Sequence, residues 1–190
     1  MAELALERLM AGNRRFAAGS PLYPNHAPAH RQKIAAEQHP IATILGCADS
    51  RVPPEIIFDQ GLGDLFTVRV GGNILDPATL GSLEFAVHVA GVRLVLVLGH
   101  SGCGAVRAAL EQSPAPGQIA ALVAAIQPAI DEAKRSGGDV LDLAVRINVA
   151  QVVQQLRTAE PILAPMVREG TLLVAGAVYD MRSGVVELVA

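Results

Sequence analysis

Three short apolar runs punctuate the first half of the chain: Ile41–Gly46, Leu65–Val70 and Arg93–Leu98. Runs of this length, aliphatic and bounded by turn residues, predict buried strands. A fourth run, Leu172–Val178, predicts another. After a turn over Tyr179–Gly184, Val185–Val189 alternates weakly and predicts an antiparallel edge strand. Between these runs the period changes to that of helices. Residues 3–18 carry Leu6, Leu9, Met10 and Phe16 on one side, an amphipathic pattern. Residues 19–30 are rich in Pro and polar residues and predict an arm or loop. Pro53 and Pro54 suit the first turn of a short helix reaching about Phe58. Asp76 is a good N-cap for a helix from Pro77 to about Ala90. A helix from Cys103 to about Glu111 follows, then a break at 113–117. Two longer helices are predicted over 119–135 and 139–158, parted by Ser136-Gly137-Gly138.

Near-continuous apolar strands separated by helices predict an α/β domain: a mostly parallel central sheet with one antiparallel edge strand, flanked by helices. In such sheets ligand sites lie outside the carboxyl ends of the strands, at a switch point in strand order. The apolar run 41–46 ends at Cys47, and 93–98 ends at Gly99-His100, so two distant segments are expected to meet at that edge.

Composition narrows the classes. With 190 residues and no internal repeat, one domain over 1–190 is the simplest organisation. A net charge of −3 and the lack of any basic patch with interleaved aromatics argue against nucleic acid as a partner. No apolar stretch approaches the roughly 18 residues that span a bilayer, so no membrane is expected. The first ten residues have no basic region followed by an apolar one, which makes the expected location cytoplasmic. In that compartment a Cys47–Cys103 disulfide is disfavoured, which points these thiols toward metal or catalysis.

The chain has only two cysteines, and both lie in short segments carrying other reactive groups: Cys47-Ala-Asp49-Ser-Arg51 and His100-Ser-Gly-Cys103. Two thiolates and an imidazole form a good ligand set for Zn²⁺, and three protein ligands leave a fourth position where water becomes a nucleophile. Asp49 is close enough to Cys47 to reach the metal or a water on it. Arg51 can pair with Asp49 as a bidentate fork, fixing its orientation and keeping it off the metal. Taken singly these features are weak. A Cys at a strand end is usually an inert small hydrophobe, an Asp-x-Arg is usually a surface ion pair, and a His at a turn is usually a cap. Their joint placement at predicted strand ends is what makes a zinc site the better account. His26, His30, His39 and His88 are read as structural or solvated.

The stretch Gly46–Phe66, the Arg69-Val-Gly-Gly-Asn73 turn, Gly81–Ala86 and Gly99–Gly104 closely resemble the β-class carbonic anhydrases. The resemblance runs from about Leu4 to the terminal Tyr179–Ala190 segment. It implies reversible hydration of carbon dioxide to bicarbonate and a proton. It also implies one Zn²⁺ per chain on Cys47, His100 and Cys103, with Asp49 and Arg51 as the catalytic dyad and Asp49 as fourth ligand only in a closed form. It implies a homodimer or higher even-numbered assembly, with the N-terminal helix and arm (1–30) packed on the partner subunit. By the same likeness Gln38, Phe66, Gly71 and Phe85 line the substrate pocket, Gln38 from the neighbouring subunit; from the sequence alone, core packing is the better account of the two phenylalanines.

Two departures from that pattern matter. Gly71 stands where the family usually has Val or Ala, which predicts a larger pocket and keeps open hydrolysis of carbonyl sulfide or carbon disulfide. Ile44 stands where one subclass has the Trp of a non-catalytic bicarbonate site, although Arg69 and Tyr179 match its other members. The open form is therefore expected. Two thiolates cancel the metal's formal charge, so activity is expected to rise on the alkaline side of neutrality. A non-catalytic zinc protein is the alternative of a different class. A two-cysteine redox role is weaker, with no Cys-x-x-Cys present.

Overall fold

The computed structural model describes residues 1–112 and 114–190; Ser113, the first residue of the expected break, lies outside them. Five strands form one sheet: β1 (Ala42–Cys47), β2 (Leu65–Val70), β3 (Leu94–His100), β4 (Leu173–Tyr179) and β5 (Val186–Leu188). Their order is β2-β1-β3-β4-β5, with β4–β5 antiparallel and the other pairs parallel. Every residue of β1 and β3 is buried, as expected of inner parallel strands covered on both faces. Edge strand β2 is half-buried except at Arg69, which is exposed.

The helices are α1 (Ala2–Ala17), α2 (Pro28–Lys33), α3 (Pro54–Ile57), α4 (Pro77–His88), α5 (Gly104–Leu110), α6 (Ile119–Ser136), α7 (Val140–Arg157) and α8 (Leu163–Arg168). Asp76 caps α4 by accepting from the Thr79 amide at 2.8 Å, and Asp139 caps α7 from Leu141 and Asp142. Three details depart from the sequence-based expectation. Helix α4 stops at His88, short of Ala90, because the chain turns through Gly91 at φ 75 to enter β3. His88 is thus an exposed last residue, not a mid-helix one. Helices α2 and α8 were not expected. Each is only six residues long, and α2 buries no residue, so no period marked them.

The apolar stripe of α1 is covered by its own chain. Leu9 is fully buried, and Leu6, Met10 and Phe16 are half-buried against the same core. Buried Asn13 donates to Ile57 O and Gly184 O and accepts from Val186 N at 2.8 Å. Arg8 pairs with Asp64 and Arg15 with Asp59. Packing on a partner is therefore not needed to explain the stripe. Among the described residues, no helix is long and apolar enough to cross a membrane.

Candidate metal centre and active site

Strand order places the centre. Connections from β1 run to β2 on one side and those from β3 to β4 on the other, so the switch point lies between the carboxyl ends of β1 and β3. Gly46 pairs with Leu98 across these strands, which sets the next residue, Cys47, beside the end of β3. Cys47 and His100 are the last residues of their strands, and Cys103 is the N-cap of α5. The ligand atoms of Cys47, His100 and Cys103 all lie within 4.8 Å of one another, and all three residues are buried. The two sulfurs are 4.0 Å apart.

The donor set suits a metal. His100 Nδ1 lies 3.1 Å from the Ser101 carbonyl. A proton on Nδ1 satisfies that oxygen and leaves the Nε2 lone pair free. Among the described residues Nε2 is buried without a hydrogen-bond partner, a costly orphan unless a ligand uses it. The thiols compete for one charge. The hydrogen bond with Cys103 lowers the Cys47 thiol well below its usual range, aided by His100 and by the Asp49 and Gly72 amides. The same contact, then burial, pushes Cys103 up. The protein itself thus stabilises one thiolate, and a cation between the sulfurs is what would favour both. Zn²⁺ fits this set by ligand type.

Asp49 lies two residues beyond Cys47, and its carboxylate is outside the three-residue cluster. Its Oδ1 accepts from Arg51 N and Nε, each at 2.9 Å, and its Oδ2 from Arg51 Nη2 at 2.7 Å. The side-chain bond from Arg51 holds the Asp49 carboxyl far below the usual carboxylate range. A carboxylate has about four lone-pair sites, so these three bonds leave one on Oδ2. A cleft of about 510 Å³ opens beside Arg51, Ser101 and Gly102. A larger cavity, about 550 Å³, lies at the far end of the sheet near Arg93 and Arg157, away from the cluster.

The pocket positions divide. Phe66 on β2 and Phe85 on α4 approach with ring centroids 6.2 Å apart, and Phe85 is 47% exposed. Gln38 lies elsewhere. It lines a small cavity with Leu62 and Asp64, at the amino ends of β1 and β2. The six residues of β1, about 20 Å of strand, separate that end from Cys47. Gln38 can therefore serve only a site on another chain. The extra room expected at Gly71 is not there: a Cβ on Gly71 would sit 2.9 Å from Leu122 Cδ1, so Leu122 of α6 fills the space.

The bicarbonate-site residues stand on separate strands, and Arg69 is turned to the Cys47 and Asp49 carbonyls. Arg69 pairs in register with Gly46 and Tyr179 with His100, which sets them three strand spacings apart, about 14 Å. Ile44 is fully buried. Of the four other histidines, His30 meets the Leu62 carbonyl at 2.9 Å, and His39 lies by Glu37 on the surface.

Some contributors carried no signal. The Gly72 amide donates to Cys47 Sγ at 3.3 Å. Gly72 adopts φ 69, the left-handed region that favours glycine, and a Cβ there would sit 2.6 Å from the end of the Ile126 side chain. Buried Asn148 of α7 holds the Gly72 carbonyl at 3.0 Å. The Gly-Gly pair was the only trace of this in the sequence.

A mostly parallel α/β sheet with a buried Cys-His-Cys donor set at its switch point defines the class: a metal-site protein of the α/β type. Residues 42–186 match the family model for carbonic anhydrase. Carbonic anhydrase 2 of Mycobacterium tuberculosis is 41% identical over 184 residues, covering 95% of this chain and 89% of its own. The solved Coccomyxa β-carbonic anhydrase in complex with acetazolamide superposes with a TM-score of 0.76 at 29% identity, covering 96% of this chain and 85% of that one. A tetrameric β-carbonic anhydrase of the ascomycete Sordaria macrospora superposes with a TM-score of 0.79 over 98% of each chain; at 24% identity that is a likeness of fold. The chain belongs to the β-class carbonic anhydrases, zinc enzymes that reversibly hydrate carbon dioxide to bicarbonate and a proton.

Proposed function

We propose that in this chain Cys47, His100 and Cys103 hold one Zn²⁺ and that Asp49 and Arg51 act beside it in the hydration of carbon dioxide. The observation that carries the assignment is the meeting of three buried donors, one of them the unpartnered Nε2 of His100. Zinc there supplies a Lewis acid that makes water nucleophilic near neutral pH. Asp49 accepts a hydrogen bond from the attacking water through its remaining Oδ2 lone pair and so aims the water at the substrate carbon. Arg51 occupies the other acceptor sites, which keeps Asp49 ionised, oriented and away from the metal, the open arrangement. Carbon dioxide needs little beyond a dry wall, and Phe66 and Phe85 supply one.

The pocket is completed by a second copy of the chain. Edge strand β2 is unpaired on its outer side, and Ile56, Leu62, Phe85 and Val89 expose apolar surface. An open edge with apolar neighbours is what a homodimer, or a higher even-numbered assembly, would cover. Gln38, stranded at the wrong end of its own sheet, reaches substrate only in such an assembly. On the same footing we place the enzyme in the cytoplasm, where its two free cysteines stay reduced.

Stopped-flow carbon dioxide hydration at pH 8.5, with zinc measured on the same sample, tests the assignment. One zinc per chain and rapid hydration are expected, and Cys47→Ala should lose both. Zinc retained by Cys47→Ala would overturn the ligand set. Sedimentation equilibrium should give an even multiple of 19.8 kDa; a monomer would defeat the shared pocket.

A further inference from the structure

Arg69 is an exposed residue of edge strand β2, and its side chain reaches across to the segment that carries both a metal donor and Asp49. Its Nε donates to the Cys47 carbonyl at 2.9 Å, and its Nη2 donates to the Asp49 carbonyl. No carboxylate pairs with it among the described residues. One planar guanidinium therefore spans two carbonyls that lie two residues apart. The Asp49 carbonyl also accepts from Val52 N at 3.2 Å, closing a turn over Asp49–Val52. Within that turn the Asp49 side chain accepts from Arg51 N, which fixes the carboxylate to the turn's own backbone.

The direction of Asp49 is thus set by the turn, and the turn is fastened to the sheet through Arg69. Beyond Cys47 the β1–β2 ladder offers one more bond, from Ala48 N to Val70 O at 3.2 Å. Past that point Arg69 supplies the only link from β2 to this segment among the described hydrogen bonds. We infer that Arg69 is a positioning residue for the hydration reaction: it holds the Cys47–Asp49 backbone so that the Asp49 carboxylate keeps its aim. The role rests on the assignment of Asp49 above. It differs from direct anion binding, because Nε and Nη2 are both turned onto main-chain oxygens of the Cys47–Asp49 segment and Tyr179 stands three strands away.

Two substitutions separate the possibilities. Arg69→Met keeps the length of the stem and removes both donors, whereas Arg69→Lys keeps the charge but cannot span two carbonyls in one plane. Arg69→Met is expected to keep one zinc per chain and the wild-type KM, while kcat falls by about tenfold to a hundredfold, the scale of a misplaced catalytic group. Arg69→Lys should fall between the two. In an Asp49→Ala background, Arg69→Met should lower the residual turnover no further, since a residue acting through Asp49 has nothing left to position. Hydrogen exchange on the zinc-stripped protein gives a readout apart from activity: amides of 48–52 should exchange faster in Arg69→Met, with β3 and α7 unchanged.

A raised KM for bicarbonate at unchanged kcat would mean that Arg69 binds the anion, and would overturn the inference. So would an equal loss with and without Asp49, or unaltered exchange in 48–52. If Asp49→Ala alone keeps full turnover, the assignment of Asp49 fails first, and that result is distinct from all of these.

Discussion

Two aspartate–arginine pairs stand ten residues apart in this chain and have opposite uses. Asp49 takes its partner from two residues away, and the Arg51 side chain is 60% exposed. Asp59 takes Arg15 from α1 at 2.7 Å, and its own side chain is 1% exposed. The difference is in access. Asp59 Oδ1 accepts from Leu22 N and Tyr23 N, and Oδ2 from Leu22 N and Arg15 Nε. Those are three donors, with the Leu22 amide shared between both oxygens, and at 1% exposure no face of the carboxylate is open to anything else. Asp49 also has three donors, but its side chain is 16% exposed and Oδ2 has room for another. An acid that is walled in by its own chain fastens the arm to the fold. An acid that is held by a neighbour and left open on one side can act on something from outside.

The largest expected effect cuts between these two. Asp49→Ala should lower turnover by about 10²–10⁴-fold, the usual contribution of a positioned proton-handling group, while zinc content and melting temperature stay near wild type. Stopped-flow kinetics with metal analysis and a thermal melt read all three. A melting loss as large as that of the Asp59 variant would erase the distinction.

Asp59→Ala should do the reverse. It strands the Leu22 and Tyr23 amides and a half-buried Arg15, a loss of about 2–3 kcal/mol. For a chain of this size that is a drop of about 5–10 °C, with kcat unchanged. Calorimetry checks it. Loss of zinc in this variant would show that the arm supports the metal site.

The pH dependence sharpens the same contrast. Burial would by itself raise the Asp59 carboxyl, but the Leu22 and Tyr23 amides and Arg15 outweigh it and hold the group below its ordinary value. A depressed folded value means that its stabilisation is present above the unfolded value of about 3.9 and is lost as pH falls through the lower folded value. The melting difference between wild type and Asp59→Asn should therefore be constant above about pH 5 and shrink below about pH 4. A gap that persists unchanged at pH 2.5 would refute the linkage.

The smallest effect is expected at Gly71→Ala. The new methyl meets the end of the Leu122 side chain, which can swing aside, so the cost should be about 1 kcal/mol or less. A large gain in hydrolysis of carbonyl sulfide on enlarging the site with Leu122→Ala would show that Leu122 sets pocket size.

Much of the fold was legible because its inner strands are buried on both faces and read as unbroken aliphatic runs. The Arg93–Leu98 run overlaps β3 from Leu94 on, and Asp76 and Pro77 marked the start of α4 through capping chemistry that is local. Helices α2 and α8 were illegible because, at six residues each, they are too short to display a helical period. In the site, Cys47, Asp49, Arg51, His100 and Cys103 could be singled out because each sits at or just after the end of an apolar run. Leu122 and Asn148 could not, since they enter from helices far along the chain.

The sequence by itself determined what depends on near neighbours: strand and helix periods, the Asp49–Arg51 pair, and the placing of the metal donors at strand ends. Tertiary structure alone decided what depends on which segments become adjacent. It set the β2-β1-β3 order that joins Cys47 to His100 and carried Gln38 to the opposite end of the sheet. It let Leu122 close the space at Gly71, committed Arg69 to the Cys47 and Asp49 carbonyls, and spent Asp59 on the arm. A side chain's type limits the bonds it can make, but whether it stays open to anything further is settled only when the whole chain has packed around it.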